Sequence, residues 1–360
     1  MPKSRLLMRK RTRRLVIALV VVIIVAAISI IFYLRRRGAS EAIRLLPETD
    51  AYVYINLKTI RRLTSFGEGA APKPDPDYNE FVQATGFQFE RDLDEAAFAV
   101  HTSSLPARGN APATRYSEIF IGTFDSERAN TFFRKKASAV ENYRNIEVFN
   151  LPLEGRTVRV ALLGLGTVAV SNTDGPQVIH GIIDRYKEGA RPMSEPNLIR
   201  DFHKHVPFGS VVWAIARPGN KSGELQLPIP GGFEVNLPRG TVIVASARSL
   251  TGSIDARAEV FTSSEDSAQK ITDQIGTFLT LFRAIESNAN AGGGDPDARA
   301  LFESLSVERN QDRAIMTAQV PIAFLEKLLR ESPEEAVTTP EPEPAQPAPE
   351  KPPSIRKPQK

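Results

Sequence analysis

The residues LVIALVVVIIVAAISIIFYL, numbered 15–34, decide the architecture of this chain. This apolar run contains no charged residue, no Pro and no Gly. As an α-helix it spans ~30 Å, which is the thickness of the hydrocarbon core of a bilayer. A helix that covers a soluble core has a polar stripe, and this run has none. It therefore predicts a single transmembrane helix at residues 15–34, with the lipid bilayer as its partner.

The charges that flank this run predict its orientation. Residues 1–14 contain seven Lys and Arg residues and no acid, whereas three arginines follow at 35–37. The positive-inside bias therefore predicts that residues 1–14 lie in the cytoplasm and that the chain from about Gly38 onward lies across the inner membrane. A cleaved signal peptide is the alternative, because Ala27-Ile28-Ser29 resembles a cleavage site, but the apolar run continues past it to Leu34.

The composition argues against several classes of function. Ten of the 46 Lys and Arg residues lie in residues 1–37, so 36 basic and 42 acidic residues follow, with a net charge of −6. The sequence pI of 9.2 is therefore a property of the anchor, and nothing in the charge predicts a nucleic-acid partner. No Cys occurs in the 360 residues, which excludes disulfides, thiolate metal ligands and Cys nucleophiles.

Residues 46–330 mix strand-like and helix-like patterns, which predicts an α+β fold with mixed or antiparallel sheets. The heptapeptide AYVYINL at 51–57 and the runs 241–249 and 253–261 alternate in the manner of half-buried strands. Apolar residues recur at helical spacing in two later segments, of which the first is expected to begin at Asp174 and to end at Gly189.

Two local features of the first half are also predicted. Residues 157–163 and 167–171 are expected to form a hairpin around Gly164-Leu165-Gly166. Asp125 or Ser126 is expected to cap a helix. The apolar face of that helix is expected to carry Ala129, Phe132, Phe133 and Val140.

The order of elements in residues 46–190 resembles the order in residues 194–330. Pro47 precedes AYVYINL much as Pro207 leads into SVVWAIA, and Phe124 and Phe261 each end a strand before a Ser–Glu helix start. These pairs predict two similar halves that arose by duplication. The two pairs are spaced differently along the chain, so the duplication requires insertions. Two unrelated halves with a common α+β pattern are the alternative.

The C-terminal segment 331–360 has a different composition from the rest of the chain. Nine of its residues are Pro, with acids early in the segment and basic residues near its end. Such a segment cannot bury a core, so we expect a disordered tail. Its cationic tip is suited either to plain solvation or to contact with an anionic envelope polymer or an envelope protein.

Several segments together resemble a known group of proteins. They are LLPETDAYVYINL, TGFQFERDLDEAAFAV, IGTFDSERA and LGTVAVSNTDGPQVIHGIID. They look like an uncharacterised bacterial family of membrane-anchored extracytoplasmic proteins, over about Leu46–Leu329. The resemblance implies an envelope location and brings no catalytic residues with it.

Two groups of residues are candidate metal sites. His203 and His205 lie near Asp201, and His101 or His180 could join them, but positions i and i+2 on a helix face different directions. Surface histidines at a helix C-terminus are therefore the favoured interpretation. Asp75, Asp77 and Asn79 match the first ligands of an EF-hand loop, but Glu80 and Gly86 stand where that loop needs Gly and Glu.

Three further motifs have plain structural interpretations. Gly164-Leu165-Gly166 lacks the third Gly and the following helix of a dinucleotide-binding loop, so a hairpin turn is predicted. The acidic run Asp92-Leu93-Asp94-Glu95 is expected in a solvated turn before a strand. Trp213 alternates with Val211 and Ile215, which favours core packing over a ligand platform.

The sequence as a whole predicts a single-pass envelope protein that acts as a non-catalytic binding or structural module. An envelope hydrolase that uses carboxylate or His residues invisible as a motif is the alternative. No catalytic, cofactor-binding or metal residue is assigned, and no cofactor is implied. A cleft with converging titratable groups would favour the enzyme, and an apolar or aromatic patch would favour the binding module.

Overall fold

The computed structural model describes residues 39–63, 76–101, 115–153, 155–191, 195–218, 225–229, 233–250, 252–289, 296–324 and 327. The basic segment 1–14, the predicted membrane helix 15–34 and the tail 331–360 lie outside these ranges. Within them, none of the helices combines the length and the hydropathy needed to cross a bilayer.

The described chain contains short helices and many strands. The helices are α1 Glu41–Leu45, α2 Leu57–Leu63, α3 Pro76–Thr85, α4 Phe89–Asp92, α5 Ser126–Lys136, α6 Gln177–Lys187, α7 Asn197–Phe202, α8 Glu265–Ala289 and α9 Pro296–Ser304. The strands are β1 Ala51–Asn56, β2 Leu93–His101, β3 Arg115–Gly122, β4 Ala139–Tyr143, β5 Ile146–Leu153, β6 Arg156–Leu162, β7 Thr167–Ser171, β8 Ser210–Ala216, β9 Leu225–Ile229, β10 Phe233–Leu237, β11 Val242–Leu250, β12 Ser253–Phe261, β13 Ser306–Asn310 and β14 Arg313–Pro321.

Twelve of the strands form one antiparallel sheet. Their order is β13-β14-β12-β11-β8-β1-β2-β3-β7-β6-β5-β4, and β9 and β10 form a separate hairpin. The predicted α+β class is confirmed, and every strand pair in the described chain is antiparallel. The sheet continues across the segment between the predicted halves, because β1 pairs with β8 and Tyr54 lies opposite Trp213.

One face of the sheet, the inner face, holds the main core. Helices α1, α6 and α7 pack on this face and bury Ile43, Ile182 and Ile199 completely. The predicted role of Trp213 in the core is confirmed, because it is 4% exposed and its ring stacks on Tyr54 at 5.5 Å. The hydroxyl of the buried Tyr52 donates a hydrogen bond to the Pro47 carbonyl at 2.7 Å, so its burial leaves the hydroxyl paired.

The opposite face, the outer face, carries two separate groups of covering elements. In the first half, α3, α4 and α5 meet the sheet through a cluster of Phe rings around Phe81 and Phe120. In the second half, Ile271 of α8 packs with Val235 and Leu237 of β10 against Ala314. The two groups cover opposite ends of the sheet, with the central strands between them.

The helix cap at Asp125 is confirmed, but the predicted helix face is wrong at one residue. The Asp125 carboxylate accepts hydrogen bonds from the N–H groups of Glu127 and Arg128, at 3.0 and 3.1 Å. The helix ends at Lys136, and Val140 lies in edge strand β4 with 40% exposure. The tight turn before β5, with two residues at positive φ, returns the chain beside β4.

Two other boundaries also differ from the predicted ones. Helix α6 begins at Gln177, after Pro176, and not at Asp174. The acidic run is not a solvated turn, because β2 begins at Leu93. The carboxylate of Asp94 instead forms ion pairs with Lys58 and Arg61 of α2, at 2.8 and 2.9 Å, which hold that helix against the strand.

Candidate functional site

A single row of side chains crosses all twelve strands on the outer face. The pairing register places its members side by side, one per strand: Val307, Met316, Ala258, Ala245, Ala214, Val53, Phe98, Glu118, Val170, Val160, Phe149 and Val140. Eleven of these residues are apolar, and Glu118 alone carries a charge. A neighbouring row is entirely apolar: Ala318, Ala256, Ala247, Val212, Ile55, Ala96, Phe120, Val168 and Leu162.

The central part of this apolar surface is partly open to solvent. On the inner face of the same strands, Ile215 and Val244 are buried, at 0% and 2% exposure. On the outer face the central residues are only half-buried. We call this surface the alanine face and define it by Val53, Ile55, Val212, Ala214, Ala245, Ala247, Ala256 and Ala258. A contiguous apolar surface of this kind is typical of a binding site.

Glu118 has an unusual environment for a carboxyl group. Phe98 lies directly across on β2 and Val170 directly across on β7. Burial raises the pKa of Glu118 to about 7, and no neighbouring charge contributes to this change. Within the described residues, its side chain forms no hydrogen bond or ion pair. The sheet therefore holds a carboxyl group that exchanges its proton near neutral pH.

A chain of polar side chains crosses the inner face at the same strands. The His101 Nε2 atom lies 2.9 Å from Ser117 Oγ, and Ser171 Oγ lies 2.9 Å from Thr173 Oγ1. The hydroxyl of Ser117 donates to Ser171 across 3.4 Å, which joins the two pairs. Burial lowers the pKa of His101, so its imidazole is neutral at neutral pH.

This polar chain ends at a groove at the ends of β3, β6 and β7. The groove has a volume of ≈ 260 Å³ and is lined by Arg115, Gly155, Arg156, Thr157, Asn172, Thr173 and Asp174. Arg159 stands behind it and donates to the Thr173 carbonyl at 2.8 Å and to the Asp174 carbonyl at 3.3 Å. We call this site the arginine groove, after Arg115, Arg156 and Arg159.

The arginine groove is positively charged. Arg115 is paired with Asp174, and Arg159 is fixed by carbonyl groups that leave its charge uncompensated. Arg156 is exposed, and its side chain has no hydrogen-bond or ion-pair partner in the described part of the chain. Counted over the described residues of the groove, three cations against one anion give a charge of +2 beside two hydroxyl groups. This donor set is suited to a carboxylate or phosphate oxygen.

The four histidines are distributed among different contacts. The His203 ring lies 5.1 Å from the ring of Trp213, and the His205 ring lies 4.7 Å from that of Phe261. Both are half-buried packing residues, so the expectation of plain surface histidines is only partly correct. His180 stacks on Tyr143 at 3.8 Å, far from this pair in the sheet order. Among the described residues, no group of three or more His, Asp or Glu side chains is arranged to hold a metal ion.

The loop motifs also have structural roles where the structure describes them. Asp77 and Asn79 belong to helix α3, which is incompatible with an EF-hand loop, and Asp75 lies outside the described residues. Gly164-Leu165-Gly166 is a hairpin turn, as predicted, with Leu165 88% exposed. A Cβ atom at Gly166 would lie 2.7 Å from the Gly122 carbonyl oxygen, so close backbone approach requires Gly there.

Groups with displaced pKa values do not converge in the described structure. Burial raises the pKa of Glu118 on the outer face and of Glu95 on the inner face. Burial lowers the pKa of His101 and of His205, which lie in different halves. Sequence reasoning missed Glu118 and the three arginines of the groove. The available signal was Glu118 itself, an acid that lies on the same face of an alternating strand as Tyr116 and Phe120. The position of this acid became unusual only once the neighbouring strands were known.

Comparisons with known proteins give a distant likeness. No family model matches the chain, and the search of curated proteins found no match. Crystal form III of TP0453 is similar with a TM-score of 0.45 and 12% identity, covering 81% of this chain and 98% of that one. Crystal form IV of TP0453 gives a TM-score of 0.43 and 14% identity, covering 80% and 96%. A likeness at this level transfers no property to the chain.

Proposed function

We propose that this chain is a single-pass inner-membrane protein whose extracytoplasmic domain binds an anionic polymer of the envelope without catalysis. The arginine groove carries this proposal. The charge of +2 on its described residues stands out in a chain that has a net charge of −6 beyond residue 37. Long-range attraction therefore does not bring a polyanion to the domain as a whole, and the attraction is confined to the groove.

The geometry of the groove supports recognition of a single acidic group. Arg159 is held by two carbonyl oxygens, which fixes its position before a ligand arrives. The exposed Arg156 can then donate two parallel hydrogen bonds to a carboxylate or phosphate. Thr157 and Thr173 add hydroxyl groups to the lining. Such preorganisation reduces the ordering cost of binding.

Calorimetric titration of the full chain in nanodiscs of zwitterionic lipid tests this function. The probes are linear polyphosphate and an oligomeric uronic acid, which distinguish phosphate from carboxylate polymers. Arg156→Ala is expected to weaken binding about five- to tenfold, because one charged hydrogen-bonding group is lost. Arg62→Ala is the matched control, since it removes an exposed arginine from α2, away from the groove.

The basic segment 1–14 is present in every variant, so its own affinity for polyanions cancels in this comparison. The binding proposal requires that the Arg156→Ala variant binds at least one of the two probes more weakly than the Arg62→Ala variant does. Equal affinities of the two variants and of the unchanged chain, for both probes, would show that the groove does not bind the polymer.

An envelope hydrolase is the second candidate, and one contact favours it. The 2.9 Å contact between His101 Nε2 and Ser117 Oγ has the spacing of a base and a nucleophile. Ser117 is, however, fully buried, and its next neighbour is another hydroxyl, that of Ser171. A substrate carbonyl therefore has no access to the hydroxyl. Labelling of Ser117 by a fluorophosphonate probe would favour the hydrolase over the binding module.

We also infer that the two halves are repeats of one ancestral unit. The sheet order supports this inference, because β1-β2-β3 and β8-β11-β12 run outward from the central pair in the same manner. The third strand is followed by α5 and the four strands β4 to β7 in the first half, and by α8, α9 and the hairpin β13–β14 in the second half. In both halves the last strand returns beside the third strand: β7 beside β3, and β14 beside β12. Superposition of the halves in an experimental structure tests the inference, which fails if these strands do not align.

A further inference from the structure

We propose that one end of the large sheet contacts the bilayer, and that Phe208 and Leu250 insert their side chains into the lipid leaflet around the predicted anchor. We call this end the apolar end and define it by Leu63, Phe208 and Leu250. The inference rests on the membrane anchorage proposed above, and it does not depend on what the arginine groove binds.

The apolar end is the end of the sheet where β1 and β11 finish and β8 starts. These strands are antiparallel neighbours in the order β11-β8-β1. Leu250 is the last residue of β11, Phe208 lies two residues before β8, and Leu63 is the last residue of α2, which follows β1 directly. Their exposed fractions are 41%, 64% and 42%, in the order Leu250, Phe208 and Leu63. Three large apolar side chains therefore face solvent at one end of neighbouring strands, which lie ~5 Å apart.

Local structure keeps these side chains at the surface. The Ser210 N–H donates to the Pro207 carbonyl at 3.2 Å, and Gly209 between them has a φ of 83°. Gly at the third position of such a turn supplies the positive φ, which leaves Phe208 at the tip. The ion pairs of Asp94, near the start of β2, hold α2 at the same end of the sheet.

The described chain begins close to the apolar end. Ser40 lies beside Tyr54 and Glu95 on the inner face, and Glu95 is only two residues from the start of β2. Helix α1 then leads away from this end, because the Pro47 carbonyl accepts the hydrogen bond of Tyr52 near the start of β1. The part of the domain that directly follows the predicted anchor therefore lies near the apolar end.

The connection between the predicted anchor and the described domain is short. The described residues begin five positions after Leu34, and five positions span at most ~17 Å in any conformation. Tyr54 pairs with Trp213, which pairs with Ser246. Leu250 lies four residues beyond Ser246, so it extends ~13 Å past Tyr54 toward the apolar end. With the strands upright, Leu250 lies within ~4 Å of the hydrocarbon boundary at Leu34 even when the connection is fully extended.

The opposite end of the sheet does not fit against the bilayer. Strand β2 continues six residues past Glu95 to His101, a length of ~20 Å, which exceeds the ~17 Å of the connection. The arginine groove belongs to that opposite end, because β3 and β6 begin there and β7 ends there. The proposed polymer site therefore points away from the bilayer.

The chemistry of the apolar end suits a lipid surface. Transfer of Leu and Phe side chains from water into lipid is favourable, and both are typical of surfaces that dip into the boundary between headgroups and acyl chains. The headgroup layer is only ~5–7 Å thick, so side chains held close to Leu34 reach that boundary. Arg62, exposed on α2, lies at the same end, where lipid phosphates attract a cation.

The absence of native Cys allows the contact to be tested in the full chain in nanodiscs. Leu250→Cys carries an environment-sensitive fluorophore, and the lipids carry a quencher near the start of the acyl chain. This probe is expected to show a blue-shifted emission and to lose fluorescence to the quencher, because it contacts lipid. Leu153→Cys is the matched control, since Leu153 is 56% exposed at the opposite end of the sheet, and its probe is expected to keep its fluorescence.

Two further variants separate insertion from mere proximity. Phe208→Asp is expected to reverse most of the quenching at position 250, because a charged side chain is costly in lipid. The near-ultraviolet circular dichroism of Trp213, the one Trp of the chain, verifies that this variant is folded. A probe at Leu34→Cys, within the predicted anchor, is expected to be quenched with or without Phe208→Asp.

The possible failures are distinguishable. Quenching at position 34 without quenching at position 250 would overturn the inference and leave the proposed anchorage intact. Absence of quenching at both positions would overturn the anchorage and the inference together. Equal quenching at positions 153 and 250 would show that neither end prefers the bilayer. A blue-shifted probe at position 250 that lipid quenchers do not reach would show that a protein partner covers the apolar end.

Discussion

Replacing Glu118 by Gln is expected to stabilise the domain above neutral pH and to leave its stability unchanged in acid. Gln has nearly the shape of Glu and cannot ionise. Burial raises the pKa of Glu118 from 4.5 to about 7, so the folded chain holds this proton more tightly than the unfolded chain does. The stability contributed by the proton is fully present below pH 4.5 and is lost as the pH rises through about 7.

The size of the effect follows from the same displacement. Each tenfold change in proton affinity is about 1.4 kcal/mol, and a half-buried group is partly screened by water, so the cost of ionisation is about 1–3 kcal/mol. For a domain of this size, about 1 kcal/mol changes the melting temperature by roughly 2–4 °C. Glu118→Gln is therefore expected to melt about 2–12 °C above the unchanged chain at pH 8, with no difference at pH 4.

Thermal unfolding of the full chain in nanodiscs, followed by circular dichroism at both pH values, measures this difference. Glu308→Gln is the matched control, because Glu308 is exposed on edge strand β13 and its removal is expected to change neither melt. A Glu118→Gln variant that is equally or less stable than the unchanged chain at pH 8 would refute the assignment of Glu118 to an apolar environment.

Three further predictions concern other parts of the chain. Asp125→Ala is expected to cost about 1 kcal/mol, because two N–H groups at the start of α5 lose their acceptor; denaturant unfolding that shows no loss would contradict the cap. Gly122→Ala is expected to lower the melting temperature clearly, since a Cβ atom there would lie 2.4 Å from the Asp92 carbonyl oxygen; calorimetry checks this, with a neutral result as the refutation. Ser332→Cys is expected to react with a membrane-impermeant maleimide once the outer barrier is permeabilised, whereas Ser4→Cys stays protected until the inner membrane is lysed; the reverse order would place the domain in the cytoplasm.

Local patterns are sufficient for much of the secondary structure. The alternation in AYVYINL corresponds to β1, and the two long alternating runs correspond to β11 and β12. The cap at Asp125 is also predictable, because N-cap chemistry depends only on adjacent residues. Val140 is misplaced because an apolar residue just after a helix fits both the helical period and the next strand.

The candidate sites could not be predicted in the same way. The outer-face row depends on eleven pairings, including the central β1–β8 pair, whose members belong to different halves of the sequence. Register is set by tertiary packing, and a slip of one residue would exchange the two faces of a strand. Glu118 and the arginines of the groove are ordinary surface residues in the sequence. Their environment is created by neighbouring strands, and the order of those strands in the sheet cannot be read from the sequence.

The strand directions also determine how the domain would bear mechanical load. Strands β1 and β14 are separated by four antiparallel steps, so they run in the same direction. If residues 15–34 span the bilayer as the sequence predicts, the membrane-anchored part of the chain enters the sheet at the start of β1, and the C-terminal segment follows the end of β14. Tension between the bilayer and a partner held by the tail would therefore act along the strands. Such a pull shears many ladder hydrogen bonds at once, whereas a pull across the strands would peel them apart one by one.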